Sequence, residues 1–266
     1  MTVETRIAAL TGQPVLSLSR LHGGDLSTVY RVGLSDGTTV VAKESSRAQT
    51  EAAMLQAILA SGAPAPKVLA VEPNLLVMEN MATKGRLALA WPDLARVLDQ
   101  VHGTHGKAYG WPEDYAFGDV QIVNTPHDHW PTFWAERRLL CHVSYLPVAL
   151  ARRIEALSRT LPERVPARPA PSLLHGDLWG GNILVNGDAI SGLIDPACYH
   201  GHHEVDLAML TLFDHPPARF FELLDLEPGW RERQAVYRLW PWLVHWRLFG
   251  EGYRSAVEGC LKELGI

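Results

Sequence analysis

The chain has few cysteines, no excess of basic residues and no long apolar run, and each of these features excludes a class of protein. Its 266 residues include three cysteines, Cys141, Cys198 and Cys260, which are too few and too widely spaced for a disulfide framework or a zinc cluster. The formal net charge of -5 argues against a nucleic-acid partner, which normally requires a basic surface. No apolar run reaches the roughly 20 residues that span a bilayer.

The N-terminus also lacks the basic segment and apolar core of a signal peptide. Together with the few cysteines, this predicts a protein of the reducing cytoplasm. A hydrophobic content of 47% and a charged content of 20% are ordinary for globular proteins, and 266 residues suffice for one large domain or two lobes. We therefore expect a globular protein without a membrane partner, whose oligomeric state the sequence leaves open.

The most informative stretch runs from residue 173 to residue 197 and contains three oxygen-bearing side chains at a fixed spacing. Asp177 stands five residues before Asn182, and Asp195 follows thirteen residues later. Between the last two, apolar runs on either side of Asn186-Gly-Asp188 predict a β-hairpin. The spacing resembles the catalytic loop of protein kinases, where His-x-Asp is followed by Asn. Asn-Gly and Asp-Gly pairs are also ordinary turn residues, which is the alternative interpretation.

Transfer of the γ-phosphoryl group of ATP requires a carboxylate that deprotonates the attacking hydroxyl and oxygen ligands that hold Mg²⁺. Asp177 fits the first role, and Asn182 with Asp195 fits the second. The sequence therefore predicts a catalytic base and a magnesium site within this stretch.

The first 80 residues predict five strands and one helix. Gly23-Gly24 lies between the first two strands, where glycine lets backbone N–H groups approach phosphates, although an ordinary hairpin turn is the equal alternative. Glu79 and Met81 follow the last strand, at the place of a kinase hinge, where their backbone groups would bond the adenine edge. The predicted strands are 15–21, 29–32, 38–42, 68–71 and 75–78, with a helix at 50–60.

Lys43 ends the run Val40-Val-Ala-Lys43 on the third predicted strand. It resembles the kinase lysine that contacts the α- and β-phosphates, and an exposed lysine at a strand end is the alternative. Glu51, near the start of the following helix, is the candidate partner of its ammonium group. Glu44 competes for that place, but neighbouring residues on a strand point to opposite faces.

The rest of the chain predicts mainly helices, with a surface connection over the proline- and arginine-rich residues 161–171. The expected fold is α+β and bilobal, like that of protein kinases. An N-lobe at 1–80 carries the glycine turn and the lysine strand, and a C-lobe at 81–266 carries the catalytic hairpin. The predicted helices follow apolar stripes at 94–101, 133–141, 149–157, 205–213, 220–224 and 236–249.

Several stretches resemble the fructosamine kinase (ketosamine-3-kinase) family, a relative of the aminoglycoside and choline kinases. The resemblance runs from Gly23 to about Tyr253. Its specific parts are Trp179 in the catalytic loop and the Asp-Pro-Ala run with its Gly-His-x-Glu continuation. The stretches are His175-Gly-Asp-Leu-Trp-Gly-Gly-Asn182, 195–209, Tyr109-Gly-Trp111, Gln121-Ile-Val-Asn124, 130–139, 237–245 and 249–253.

This chain departs from the family pattern at three places. The glycine turn has no cysteine, so a redox switch there is not expected. His203 stands where we expect the Arg of Gly-His-Arg-Glu, and Asp-His-Pro-Pro follows Phe213 in place of a glycine-rich run. These departures concern the substrate more than the phosphoryl transfer.

The resemblance implies ATP- and Mg²⁺-dependent phosphorylation of a sugar hydroxyl on a ketosamine, at its third carbon. This step makes the adduct unstable, and it would repair glycated amines. Asp177 would be the catalytic base, Lys43 and Glu51 would bind ATP, and Asn182 and Asp195 would bind the metal. The implied substrate residues are Trp179, His202 and Glu204. The Trp179 indole would stack on the sugar, and internal packing is its alternative role. For Glu204 and Asp206, the alternative is to cap or tether the following helix.

Two other functions are alternatives for a chain with this motif. An aminoglycoside- or choline-type phosphotransferase would need a clear cluster of carboxylates for its cationic substrate, and none is evident in the sequence. A pseudokinase would have lost one of Lys43, Asp177, Asn182 and Asp195, all of which are present. Whether the ketosamine is a ribulosamine or a fructosamine, and whether it is free or bound to a protein, is left open.

Overall fold

The structure, a computed structural model, describes residues 1–21 and 27–266. The predicted glycine turn at Gly23 and Gly24 lies outside the described residues. The chain divides into two compact units, one formed by Met1–Gln100 with Gly180–Pro196 and the other by Val101–Trp179 with Ala197–Ile266. The predicted lobe boundary at residue 80 stays a prediction.

Helices and strands alternate in the first part of the described chain, and helices dominate the last part. In chain order they are α1 (Val3–Thr11), β1 (Val15–Leu21), β2 (Thr28–Leu34), β3 (Thr39–Glu44), α2 (Ala48–Ala60), β4 (Val68–Glu72), β5 (Leu75–Glu79), α3 (Trp91–His102), β6 (Tyr115–Phe117), β7 (Val120–Ile122), α4 (Trp130–Trp134), α5 (Val148–Arg164), β8 (Ser172–Leu174), β9 (Ile183–Asn186), β10 (Ala189–Leu193), β11 (Tyr199–Gly201), α6 (Glu204–Phe213), α7 (Ala218–Glu222), α8 (Trp230–Phe249) and α9 (Arg254–Glu263).

An antiparallel sheet of five strands, in the order β1-β2-β3-β5-β4, forms the centre of the first unit. Residues alternate across its faces, so Val32 of β2 and Val40 and Ala42 of β3 point to the same buried side. Ile7 of α1 packs against them and completes a hydrophobic core. The predicted five strands and the helix that follows the third are confirmed.

The predicted hairpin is also confirmed, and it belongs to the first unit. Strands β9 and β10 pair antiparallel, and Gly187 in the turn has a φ of 67°, which favours glycine. The backbone N–H of Ile190 donates to the Asp93 carboxylate at 2.7 Å, and that of Leu193 donates to the carbonyl of Pro64 at 2.9 Å. The hairpin is therefore held against the rest of its unit at two points.

An aromatic core lies in the second unit, where Trp130 and Trp134 of α4 pack around Tyr237 of α8. The indole N–H of Trp130 donates to the Tyr237 hydroxyl at 3.0 Å, so the core includes an internal polar contact. The short strands β8 and β11 pair antiparallel, with Leu174 opposite Tyr199. The loop with Asp177 follows β8 directly, and His202 follows β11.

Two predictions for the second unit were wrong in part. The single helix predicted at 133–141 is instead the short α4, followed by a π-helix at Ala135–Leu139 and a 3₁₀-helix at Leu140–Tyr145. The surface connection predicted from residue 161 begins later, because α5 continues to Arg164. Pro162 lies in the last turn of α5, where it lacks the N–H that would bond back along the helix. In the described ranges, no helix combines the length and the apolar character needed to cross a membrane.

Candidate active site

Lys43 is buried in the first unit and contacts two carboxylates. Its Nζ lies 2.9 and 2.8 Å from the two carboxylate oxygens of Glu51 and 3.0 Å from Oδ1 of Asp195. The pleat of β3 directs Lys43 inward, and the first turn of α2 presents Glu51 to it. The predicted contact between Lys43 and Glu51 is confirmed, and an exposed lysine is excluded because its side chain is 6% exposed.

Glu44 points away from this group, as strand geometry requires. Its carboxylate accepts hydrogen bonds from the Tyr30 hydroxyl at 3.2 Å and from Arg6 at 3.4 Å.

Burial raises the pKa of Glu51, and the attraction of Lys43 opposes this shift only in part. The ionised state of Glu51 therefore depends on the neighbouring ammonium group.

Asp195 has an unusual backbone conformation. Its φ of 54° is the only positive value at a non-glycine residue in the described parts of the chain. Backbone strain of this kind costs on the order of 1 kcal/mol and concentrates at functional positions. The carboxylate is 36% exposed, so it contacts Lys43 on one side and remains accessible.

Asn182 and Asp195 lie at the same end of the hairpin. Asn182 directly precedes β9, and Asp195 follows β10 by two residues. The carbonyl of Asn182 accepts the backbone N–H of Ile194 at 3.0 Å, and Ile183 pairs with Leu193 directly beyond it. The 3₁₀ turn Gly180–Asn182 leads the chain into β9. A carboxylate and a side-chain amide oxygen are ligands that Mg²⁺ accepts, so these residues fit a hard divalent cation.

In the second unit, Asp206 anchors the loop that contains Asp177. The backbone N–H groups of His175 and Gly176 donate to its two carboxylate oxygens at 2.8 and 2.9 Å. Nε2 of His102 lies 3.0 Å from Oδ2 of the same carboxylate. Three partners therefore hold a fully buried Asp206 immediately behind the predicted base.

Burial alone would raise the pKa of Asp206, but the hydrogen bonds and charges of its partners outweigh burial and lower it. Asp206 is thus an ionised anchor. Sequence reasoning gave Asp206 a role in capping or tethering the following helix, near the cleft by the family pattern. It missed the contact with His102, because no local spacing connects residues 104 positions apart.

Gly176 permits a close approach between two segments of the loop region. It has a φ of 81°, and a Cβ there would lie 2.1 Å from the carbonyl oxygen of Ala197. Ala197 in turn donates its N–H to the carbonyl of His175 at 2.9 Å. The N–H of Asp177 donates to Nδ1 of His175 at 3.3 Å. These contacts fix the backbone that presents Asp177.

The three predicted substrate residues lie in different surroundings. Trp179 is exposed by 39%, and its ring meets Phe213 edge-on at 5.9 Å between centroids. Glu204 is fully buried and accepts two hydrogen bonds from Arg233, at 2.5 and 2.8 Å. His202 is 1% exposed, with Nδ1 2.7 Å from the Tyr237 hydroxyl. Trp179 offers an accessible surface, whereas His202 and Glu204 are engaged inside the unit, and their contact with substrate stays a prediction.

The predicted hinge begins where β5 ends, at Glu79. The N–H of Glu79 donates to the carbonyl of Lys67 at 2.9 Å, so this donor is used within the sheet. The side chain of Met81 lies beside Gly192 of β10, where a Cβ would be 3.3 Å from Met81 Cε. The adenine contact predicted for these residues thus concerns the Glu79 carbonyl and the Met81 backbone.

Sequence reasoning missed Arg138, although the stretch 130–139 is part of the family resemblance. Arg138 is fully buried, donates to Asn124 Oδ1 at 2.7 Å and to the carbonyl of Val123 at 2.8 Å, and lies 4.2 Å above the ring of Tyr199. The π-helix after α4 contains this residue. The aromatic residues at 130–139 are the sequence signal for a buried cation. They do not indicate which of Arg137 and Arg138 is buried.

Comparison with known proteins identifies the family. The family model of the fructosamine kinases matches residues 1–265. The chain belongs to the fructosamine kinase family. A probable ketoamine kinase of Synechocystis sp. is 36% identical to it over 192 residues, which are 65% of this chain and 62% of that relative. The match therefore spans less than two thirds of that relative's length.

Solved structures confirm the fold of this fructosamine kinase family member. The crystal structure of a candidate fructosamine-3-kinase of Thermobifida fusca superposes with a TM-score of 0.91 at 30% identity, covering 99% of this chain and 98% of the other. An aminoglycoside phosphotransferase superposes with a TM-score of 0.68 at 18% identity, covering 100% of this chain and 95% of the other. The second likeness concerns the fold alone, which is the α+β, protein-kinase-like bilobal fold predicted from the sequence.

Proposed function

We propose that the chain is an ATP-dependent kinase that phosphorylates a sugar hydroxyl of ketosamines. The observation that carries this proposal is the burial of Lys43 between Glu51 and Asp195. A phosphate-binding lysine needs this arrangement, because a carboxylate must hold its ammonium group in place while a second carboxylate serves the metal.

ATP would be bound by residues of the first unit. Lys43 would contact the α- and β-phosphates, and Glu51 would hold Lys43 in position. The Glu79 carbonyl and the Met81 backbone would bond the adenine edge, and Gly23 and Gly24 would cover the phosphates. Because these adenine contacts use the backbone, substitutions of the hinge side chains should change ATP binding little.

Asn182 and Asp195 would hold the divalent cation, which we propose to be Mg²⁺. The strained backbone of Asp195 and the hairpin behind both residues support this role, since a rigid scaffold keeps ligands in place. When bound, such an ion offsets negative charge on the phosphates. The Lys43 ammonium, 3.0 Å from Oδ1 of Asp195, adds a fixed positive charge.

Asp177 would accept the proton of the attacking sugar hydroxyl and orient that hydroxyl toward the γ-phosphorus. Asp206 supports this role because it holds the backbone just before Asp177 in one conformation. Trp179 would offer its exposed indole face to the sugar ring. The family pattern also places His202 and Glu204 toward the substrate, and both side chains are buried within the second unit.

The relative from Synechocystis supports ketosamines as the substrate class, since that protein is described as a ketoamine kinase. Phosphorylation at the third carbon would release the amine afterwards, so the proposed role is repair of glycated amines, small or protein-bound. Three cysteines are too few for a disulfide framework, which supports a reducing compartment such as the cytoplasm. An aminoglycoside- or choline-type activity is the competing function.

The test is ADP release with Mg²⁺ and ATP on small ribulosamines and fructosamines, in parallel with aminoglycosides and choline. Mass spectrometry should show one added phosphate on the ketosamine. Asp177→Asn should abolish turnover, and Asp128→Asn, at an 82% exposed carboxylate, should not change it. Turnover on aminoglycosides or choline alone would contradict the proposed substrate, and full turnover by Asp177→Asn would contradict the proposed base.

A further inference from the structure

Three consecutive residues at the start of α6 form a cluster of potential metal ligands. One atom each of His202, His203 and Glu204 lies within 4.8 Å of the others. His202 and Glu204 are buried, and His203 is half-buried. The carboxylate and the two imidazoles all belong to the second unit.

Two imidazole nitrogens of these residues are buried without a hydrogen bond. Neither Nε2 of His202 nor Nε2 of His203 has a partner among residues 1–21 and 27–266. A buried polar atom left unsatisfied costs about 1–3 kcal/mol, and native proteins usually satisfy such atoms with a protein group, a water or an ion. The two imidazoles therefore point to a ligand.

The orientation of His202 agrees with metal binding. Its Nδ1 lies 2.7 Å from the Tyr237 hydroxyl, which also accepts the indole N–H of Trp130. Histidines that bind metals are usually held through their other ring nitrogen in this way. If Nδ1 carries the proton, Nε2 of His202 has its lone pair available.

The distances match those around a single ion. Nε2 of His202 lies 3.8 Å from Oε1 of Glu204. This distance is too long for a hydrogen bond but shorter than about 4.1 Å, the sum of a Zn–N and a Zn–O bond. One ion can therefore reach both atoms. The ligand atom of His203 lies within 4.8 Å of the other two, so a small movement of His203 would complete the site.

The charges around the cluster select the kind of ion. Arg233 donates to both oxygens of Glu204, which weakens the attraction of this carboxylate for a cation. Two of the three side chains in the cluster are imidazoles, and only one is a carboxylate. Neutral imidazoles prefer transition metals, whereas Mg²⁺ prefers oxygen ligands.

We infer that His202, His203 and Glu204 bind a divalent transition-metal ion such as Zn²⁺, with ligands other than those proposed for Mg²⁺. Asp206, two residues after Glu204, holds the loop before Asp177. The ion would therefore stabilise the segment that supports the catalytic loop.

The test uses the full chain, with any affinity tag removed and metals stripped by a chelator. Titration with Co²⁺ should give the intense visible absorption of a low-coordinate site with imidazole ligands, at one ion per chain. Zn²⁺ should displace the Co²⁺, and excess Mg²⁺ should not. His203→Gln and His203→Arg should each weaken Co²⁺ binding at least about tenfold, as expected when a ligand is lost.

The matched control is His105→Gln, which removes an exposed histidine of the same unit and should leave Co²⁺ binding unchanged. Circular dichroism shows whether each variant folds, and the two His203 variants guard against misfolding of either one. Co²⁺ binding of equal strength in the chain and in both His203 variants would overturn the inference, as would a weak octahedral spectrum or no binding. These measurements do not depend on kinase activity.

Discussion

Asp206 accepts the backbone N–H of His175 at 2.8 Å, two residues before the proposed base Asp177. The contact connects the first turn of α6 with the catalytic loop through one buried carboxylate. A hydrogen bond to an ionised acceptor is about twice as strong as one between neutral groups. The position of Asp177 therefore depends on a residue that need not touch the substrate.

Asp206→Asn should lower kcat by about 10²-fold, because the amide holds the loop less firmly and catalysis is sensitive to displacements of about 1 Å. The KM for ATP should change little, since the proposed ATP-binding residues lie elsewhere in the chain. Steady-state kinetics checks both values, and Asp128→Asn serves as the exposed control. A fall in thermal stability with unchanged kcat would assign Asp206 a purely structural role.

Gly176→Ala should unfold or inactivate the protein, because its Cβ would lie 2.1 Å from the Ala197 carbonyl in a backbone with positive φ. Gly187→Ala is the matched control, since Gly187 also has a positive φ but has open space around a Cβ. The control should cost only about 1–2 kcal/mol of backbone strain. Thermal and urea unfolding compare the two variants, and equal losses would show that the clash is relieved by a small shift.

Lys43→Met should destabilise the fold by about 3–5 kcal/mol, because it leaves the buried carboxylate of Glu51 without its partner. The double variant Lys43→Met with Glu51→Leu should recover most of that loss, since both charges are then removed together. Urea unfolding measures the difference, with the exposed Lys67→Met as control. A double variant less stable than the single one would contradict the expected coupling.

Trp179→Ala should raise the KM for the ketosamine about tenfold, as expected for loss of an aromatic contact of about 1–1.5 kcal/mol. Trp179→Phe should keep part of the effect, and the KM for ATP should not change. Leu223→Ala, at a side chain that is 57% exposed, is the control for general surface changes. An unchanged ketosamine KM in Trp179→Ala would leave the indole only its packing against Phe213.

The local parts of the fold and site could be predicted from the sequence. The hairpin at 183–193 follows from two apolar runs around Asn186-Gly-Asp188, and the contact between Lys43 and Glu51 follows from a strand and a helix that are adjacent in the chain. Turn chemistry and side-chain periodicity act over a few residues, so a single sequence reveals them.

The remaining contacts depend on long-range packing. Asp206 and His102 are 104 residues apart, and no local pattern selects His102 over the other histidines. The same holds for Arg138, whose burial depends on Tyr199 and Asn124 rather than on its neighbour Arg137. The π-helix after α4 was also missed, because the sequence does not distinguish hydrogen bonds to the fourth residue back from those to the fifth.

At position 195, fold stability and activity favour different residues, because Asp195 has a positive φ. Glycine adopts that conformation without strain, so Asp195→Gly relieves about 1 kcal/mol of backbone strain while it removes a proposed metal ligand. Laboratory evolution for thermal tolerance alone can therefore favour glycine at residue 195 and yield a robust but inactive protein. Screens that seek a hardier variant of this chain need a selection for catalysis in every round.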